Sequence, residues 1–92
     1  HMNIEKNKVT TSDGRTVYLT SLQLSVVKAM DCSLSGTVNT FELRNVGIAS
    51  GSQTISVLKA RGALVTTIYK PAFDSLGNLH NQIAHYQLVG WI

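Results

Sequence analysis

The stretch from Val38 to Thr67 constrains the fold most strongly, because it contains two helix starts that lie close together. At each start, a side chain that caps helices is followed three residues later by an acid or an amide. The two pairs are Asn39 with Glu42 and Ser50 with Gln53. In a capping box, such residues satisfy each other's free backbone N–H groups. The spacing therefore predicts two short helices joined by a tight turn.

Glycines stand where each of these helices should end. Gly47 and Gly62 can adopt the left-handed conformation that ends a helix without the steric penalty of a side chain. If Gly47 lies just past its helix, Leu43 and Ile48 occupy the positions that touch in a Schellman motif, and Ile48 is buried. We expect the two helices over about Thr40–Val46 and Gly51–Arg61.

A longer helix is expected upstream, from a cap at Thr20 with Gln23 as its partner to about Cys32. A loop over residues 33–37 and a short strand contact at Val38 should follow it. The spacing of apolar residues predicts which side chains each of the three helices buries. These are Leu22, Val26, Ala29 and Met30 in the first helix, Phe41, Leu43 and Val46 in the second, and Ile55 and Leu58 in the third.

The residues before the first helix predict a β-hairpin, because β-branched runs flank Asp13-Gly14. An isolated hairpin is only marginally stable, so a loose arm is the alternative structure for this segment. His1-Met2 is typical of the remnant of a cleaved expression tag. We therefore expect residues 1–8 to be the tag remnant and a flexible N-terminus, and residues 9–92 to form a single domain.

Two strands are expected after the third helix, at Leu64–Tyr69 and Gln82–Val89. The intervening Lys70–Asn81 is expected to be a long loop, since it contains Pro71, Asp74 and Gly77 as breakers. Three helices followed by a hairpin are the order of a winged helix-turn-helix, with the second hairpin as the wing. The predicted fold class is α+β, a winged helix-turn-helix with a C-terminal hairpin and a short N-terminal hairpin or arm.

The composition favours a binding protein rather than an enzyme. The formal net charge of +3 indicates a mild preference for an anionic partner. The five acids are scattered, with no nucleophile–base pairing and no glycine-rich phosphate loop, so we expect no catalytic residues and no cofactor. The single Cys32 excludes an internal disulfide, and no segment is apolar enough to span a membrane or to act as a signal peptide. We expect a cytoplasmic protein.

The histidines give weak support for a metal site. His80 and His85 could act as ligands together with Cys32, but a site needs at least three ligands that converge. His85 alternates with Tyr86 in a predicted strand, so we expect it to face solvent or a partner. We expect no metal.

Several segments resemble the small winged helix-turn-helix domains of bacteriophage and prophage proteins. They are SLQLSVVKAM, GTVNTFELRNVGIAS, TISVLKARGALVTT and HYQL, and the resemblance covers roughly Leu19–Leu88. It implies a DNA-binding regulator in a phage or its bacterial host. One feature departs from the family, because its wings often carry Arg or Lys at the tip, whereas Lys70 is the one basic residue of the long loop.

With Ile55 and Leu58 turned inward, the other side of the third helix is the predicted DNA-binding face. Its centre contains Gln53, Ser56, Val57 and Ala60, and its flanks contain Ser52, Thr54, Lys59 and Arg61. Gln53 suits an adenine edge and Val57 a thymine methyl group, whereas the two cations suit phosphates. Alternatively, Gln53 only caps its own helix and the face is solvated surface.

Other cations complete the predicted contacts. Arg44 of the second helix is a candidate for a phosphate contact, with a surface salt bridge to Glu42 or Asp31 as the alternative. In the wing, Lys70 is the candidate for a contact with DNA. For the N-terminal cations, which are Lys6, Lys8 and Arg15, solvated surface is favoured over a basic arm.

The predicted function is transcriptional regulation through double-stranded DNA, with helix three in the major groove. Because few cations are available, one copy should bind weakly, and a homodimer on a repeated site is expected to compensate. Two alternatives stay open, an excisionase-like recombination directionality factor and a protein-interaction module for a host or phage protein. The apolar C-terminus, with Val89, Trp91 and Ile92, favours the second, although Trp91 also suits the core together with a subunit contact.

Overall fold

The predicted order of elements is confirmed in the computed structural model, which describes residues 8–11 and 14–92. A short hairpin precedes three helices, and a long hairpin follows them. The elements are β1 (Lys8–Thr10), β2 (Thr16–Tyr18), α1 (Ser21–Cys32), β3 (Val38–Asn39), α2 (Thr40–Asn45), α3 (Gly51–Ala60), β4 (Ala63–Phe73) and β5 (Leu79–Trp91). Residues 1–7 lie outside the described part, so the tag assignment stays a prediction. Lys8, assigned to the flexible N-terminus, is the first residue of β1.

The capping boxes of α1 and α2 are confirmed. The Thr20 hydroxyl accepts a hydrogen bond from the Gln23 N–H at 3.2 Å, and the Gln23 amide oxygen accepts one from the Thr20 N–H at 3.0 Å. Asn39 and Glu42 make the same reciprocal pair at 2.8 and 2.9 Å. Free N–H groups at both helix starts are therefore satisfied by local side chains.

The turn after α2 is the predicted Schellman motif. Gly47 has φ +90°, and its N–H donates to the Arg44 carbonyl at 3.0 Å. The Ile48 N–H donates to the Leu43 carbonyl at 2.9 Å, and Ile48 is buried. Gly62, with φ +104°, ends α3 as predicted.

The start of α3 lies very close to α2. A Cβ atom added at Gly51 would be 2.7 Å from Cδ1 of Leu43, which is fully buried. A side chain there would force Leu43 to move. Gly51 thus permits the close approach that brings α3 against α2, a role that the sequence did not reveal.

The core lies between the helices and one face of the main sheet, and the inward placement of Ile55 and Leu58 is confirmed. Its buried apolar residues are Leu19, Val26, Val27, Met30, Val38, Leu43, Ile48, Ile55, Leu58, Ala63 and Tyr86. Trp91 is half-buried against this cluster.

Two predictions of buried residues are wrong. Leu22 is exposed, because α1 buries the row formed by Gln23, Val26, Val27 and Met30 instead. The capping bonds of Gln23 allow this amide to be buried. Val46 is exposed because α2 ends one residue earlier, and Phe41 is only half-buried.

The C-terminal hairpin is much longer than predicted. The sheet order is β3-β5-β4, with both pairings antiparallel, and Thr67 lies opposite Tyr86. The predicted loop over Lys70–Asn81 is wrong, because β4 continues through Pro71 and only the turn over 74–78 is irregular. Pro71 is tolerated because β4 is an edge strand whose register shifts between Lys70 and Ala72.

The N-terminal hairpin is formed rather than a loose arm. Its strands pair antiparallel, with Lys8 opposite Tyr18, and the Thr11 N–H donates to the Arg15 carbonyl at 2.8 Å. Three residues separate this closing pair, one more than in the expected two-residue turn, and two of them, Ser12 and Asp13, lie outside the described residues. None of the described helices has the length and apolar character needed to cross a membrane.

Candidate nucleic-acid interface

The outward face of α3 consists of small, polar and aliphatic side chains. Ile55 and Leu58 anchor the helix in the core, and this orientation leaves the opposite side in solvent. The exposed residues of α3 are Ser52, Gln53, Ser56, Val57, Lys59 and Ala60. No acid lies in the first turn, and Lys59 lies in the last. The face is therefore free of core packing and carries no negative charge.

Thr54 does not belong to this face, contrary to prediction. It is buried, and its hydroxyl donates to the Ser50 carbonyl at 3.1 Å. The reason is its spacing, because Thr54 lies four residues before Leu58 and shares its buried side of the helix. Thr54 is removed from the set of candidate contacts.

The predicted capping box at the start of α3 is wrong. Ser50 has φ −122° and ψ 72°, unlike the extended caps Thr20 and Asn39, and its hydroxyl makes no capping bond. Instead, the hydroxyl donates to the Gln53 amide oxygen at 3.3 Å. This bond orients the Gln53 side chain and leaves its NH₂ group without a hydrogen bond to any described residue.

Arg61 has a structural contact that the sequence did not reveal. It follows the last turn of α3, and its Nη1 donates to the Tyr18 carbonyl at 3.0 Å. The bond ties β2 of the N-terminal hairpin to the end of α3. Lys59 is therefore the cleaner candidate for a phosphate contact, because it is exposed and its side chain makes no hydrogen bond or ion pair within the described part.

A groove joins α1 to the outward face of α3. It has a volume of about 470 Å³, and its walls include Leu22 and Thr20 on one side and Gln53 and Val57 on the other. The exposed Leu22 thus lies beside the predicted recognition residues. Because Leu22 was expected to be buried, it was not among the residues predicted for this surface.

Within the described residues, Arg44 lies over an aromatic side chain and forms no salt bridge with Glu42 or Asp31. Its guanidinium carbon is 5.8 Å from the centre of the Phe41 ring, within the range of a cation–π contact. The expected alternative partner Glu42 is engaged by the Asn39 N–H. Arg44 lines a cleft of about 290 Å³ between α2 and the turn of the long hairpin.

A carboxylate organises the turn of the long hairpin. Asp74 accepts hydrogen bonds at 2.9 Å from the N–H groups of Leu76 and Asn78 and lies 2.9 Å from Nε2 of His80. The bond with His80, followed by the bond from Asn78, lowers the pKa of Asp74 to about 2. Lys70 is exposed on β4. The tip therefore presents an acid and an exposed Leu76, which is a poor surface for phosphates.

The described histidines and the cysteine are held apart from one another, since His80 bonds to Asp74, His85 is buried in the sheet and Cys32 is exposed at the end of α1. The prediction that His85 faces solvent or a partner is wrong, because it is only 7% exposed, and its Nε2 has no hydrogen-bond partner among the described residues. It lies on β5, the central strand, with Asn39 of β3 beside it on one side and Ile68 of β4 on the other. Within residues 8–11 and 14–92, no three potential ligands converge.

Comparison with known proteins identifies the family. No curated protein and no solved structure matches the chain significantly. A family model described as a winged helix-turn-helix domain matches residues 33–90, from the loop after α1 to the penultimate residue of β5. The match covers more than half of the chain and includes α2, α3 and the hairpin that forms the wing. The protein therefore belongs to the winged helix-turn-helix domain family.

Proposed function

We propose that this protein binds double-stranded DNA sequence-specifically and acts as a transcriptional regulator. The observation that carries the proposal is the outward face of α3, where Gln53, Ser56 and Val57 are exposed on a helix anchored by its other side. Membership of the winged helix-turn-helix family supports it. We also propose that the protein acts in the bacterial cytoplasm, that it comes from a phage or prophage, and that it has no catalytic activity.

In the proposed complex, α3 enters the major groove. The free NH₂ group of Gln53 donates to a base edge, and Val57 contacts a thymine methyl group. Lys59, with Arg44 and Lys70 further out, lies against phosphates and sets affinity rather than sequence preference. Three such contacts per copy correspond to a slope of about −3 in log affinity against log salt, so two copies on a repeated site are needed for tight binding.

The test is selection from a random duplex library, followed by titration of the selected and random sequences at about 50 and 200 mM salt. Gln53→Ala should reduce the preference for the selected sequence by about 1–3 kcal/mol. Lys59→Ala should weaken binding to all sequences alike and reduce the salt slope by about 1. Lys28→Ala, which removes an exposed lysine of α1, is the matched control and should change neither.

Arg61→Ala should also lower affinity for every sequence, but it removes the bond to Tyr18 as well. Lys59→Ala therefore decides the phosphate assignment. Binding that shows neither sequence preference nor salt dependence contradicts the proposed function. Wild-type behaviour of both Gln53→Ala and Lys59→Ala contradicts the assigned face.

A second candidate function is a protein-interaction module for a host or phage protein. It is favoured by exposed apolar side chains on the long hairpin, which include Tyr69, Phe73, Leu76, Leu79 and Val89. A stoichiometric complex with one protein, without DNA binding, would favour this module. An excisionase-like role instead predicts bending of the bound duplex, which a gel-mobility assay with permuted sites would detect.

A further inference from the structure

The outer edge of β4 is long and unpaired in the described part of the chain. β4 pairs with β5 along one side, and no described strand lies along its other side. An open edge presents a row of N–H and C=O groups that can pair with another strand. At eleven residues, this edge is longer than an average strand.

Protection of this edge lies at its two ends. Proteins commonly protect edges with lysine, proline and bulges. Here a register shift lies between Leu64 and Val65 at one end, and Lys70, Pro71 and the register shift before Ala72 lie at the other. From Val65 to Tyr69 the strand contains no charge, no proline and no register shift. The unprotected segment is therefore Val65–Tyr69, flanked by Leu64 and Lys70.

This segment is complementary to itself. In an antiparallel pair centred on Thr67, facing residues lie on the same side of the sheet. The facing pairs are Thr67 with Thr67, Thr66 with Ile68, Val65 with Tyr69, and Leu64 with Lys70 of the second copy. The pairs combine β-branched and aromatic side chains, which stabilise sheets, and no like charges face each other. A charged peptide finds no opposite charge between Leu64 and Tyr69, so a second copy fits this edge better.

We propose that two copies of this protein pair antiparallel through β4, with a two-fold axis near Thr67, and form one six-stranded sheet. The axis is perpendicular to the sheet, so the helices of both copies lie on the same side. α3 packs against β4 and α1 against β5 in each copy. The dimer would serve the proposed DNA binding, but it is tested on the free protein, so the two proposals can fail separately.

The contact area indicates a weak dimer. Seven strand residues are about 23 Å long and a sheet is about 10 Å thick, so the paired edge covers roughly 230 Å² per copy. This is far below the ~800 Å² per partner of a standard interface. Partial burial of side chains beside the edge adds to it, since Leu64 is 41%, Ile68 49% and Tyr69 66% exposed. We expect a concentration-dependent equilibrium rather than a permanent dimer.

Sedimentation equilibrium from about 10 µM to about 1 mM tests the surface and the register together. Thr66→Lys and Ile68→Glu change exposed residues that face each other across the axis. Each variant alone should self-associate at least tenfold more weakly than wild type. An equimolar mixture should recover association, because the introduced ammonium and carboxylate groups then face each other.

Gln82→Lys is the matched control, because it adds the same charge at an exposed position of β5, away from the open edge. It should associate as wild type does. A protein that is monomeric at every concentration overturns the proposal. So does a dimer that Thr66→Lys leaves unchanged, and so does a mixture that associates no better than its components.

Cross-linking locates the axis independently. In a Cys32→Ser background, Thr67→Cys should form an intermolecular disulfide on mild oxidation, since facing Cα atoms in antiparallel strands are about 4.5–5.5 Å apart. Ser52→Cys on α3 is the control for random collision. Cross-linking that is no faster at position 67 than at position 52 overturns the proposed axis.

Discussion

The turn between α2 and α3 and the turn at the tip of the long hairpin are held in different ways. The turn between α2 and α3 is fixed by buried side chains, with Leu43 and Ile48 in the core and Gly51 against Leu43. The hairpin tip lies outside the core and is held by hydrogen bonds that converge on Asp74. The orientation of α3 should therefore depend on packing, and the tip on charge and pH.

This difference bears on recognition. A helix fixed by core packing can present Gln53 and Val57 in one geometry, because interiors are densely packed and resist deformation. A tip held by exposed hydrogen bonds opens locally at little cost to the rest of the domain. Core packing therefore supports α3, whereas hydrogen bonds at the surface hold the tip.

The largest effect is expected for Leu43→Ala. It removes a fully buried side chain that contacts both the Schellman turn and the start of α3, so unfolding free energy should fall by about 3–4 kcal/mol. Urea denaturation measures the change. Val46→Ala, three residues later but exposed, is the control and should stay within about 0.5 kcal/mol of wild type. Equal losses for the two variants would contradict the packing difference.

A smaller effect is expected for Gly51→Ala. The added methyl group would lie 2.7 Å from Cδ1 of Leu43, so overpacking should reduce the unfolding free energy by about 1–2 kcal/mol. In the Leu43→Ala background that atom is absent, and the substitution should become neutral or slightly stabilising. A double-mutant cycle measures this coupling, with the exposed Ser52→Ala as control. Strictly additive losses would show that the two helices do not press on each other.

The smallest effect on overall stability is expected at the hairpin tip. Because the folded pKa of Asp74 is about 2, below the ordinary 3.8, its carboxylate stabilises the turn above pH 3.8. That stabilisation is lost as the pH falls through about 2. Amide chemical shifts and exchange rates of Leu76 and Asn78 should report this local transition while the helices remain folded.

Substitution separates Asp74 from the other acids. Asp74→Asn keeps an acceptor oxygen but removes the titrating group, so the acid transition of the tip should disappear. Asp31→Asn, at an exposed acid of α1, should leave it in place. A transition that persists in Asp74→Asn, or that spreads to α3, would contradict the local assignment.

Patterns that depend on neighbours in the chain were predictable. The caps at Thr20 and Asn39, the Schellman turn at Gly47 and the stop at Gly62 each involve residues within one or two helical turns. The failures have other causes. Pro71 was expected to break a strand, but an edge strand accommodates it. Ser50 is a residue type that often caps helices, but its backbone does not adopt the conformation of a cap.

For the candidate site, the sequence located the outward positions Gln53, Ser56 and Val57 because helical periodicity follows from Ile55 and Leu58. It did not reveal that Leu22 borders the same surface, since that requires knowing how α1 packs on α3. Nor did it reveal that Arg61 bonds to Tyr18, which lies 43 residues away in the chain. No local pattern carries such contacts.

The sequence by itself determined the order of the elements, the helix caps at Thr20 and Asn39, and the glycines that end α2 and α3. These features depend on short-range hydrogen bonds and backbone conformation. Only the tertiary structure decided how far the hairpin extends, which side of α1 is buried and that His85 is covered. Those features depend on which surfaces meet, since burial and strand pairing join residues that are distant in the chain. The close approach of Gly51 to Leu43 depends on the sequence and on the tertiary structure. The glycine leaves room for it, and the packing of α3 against α2 brings the two residues together.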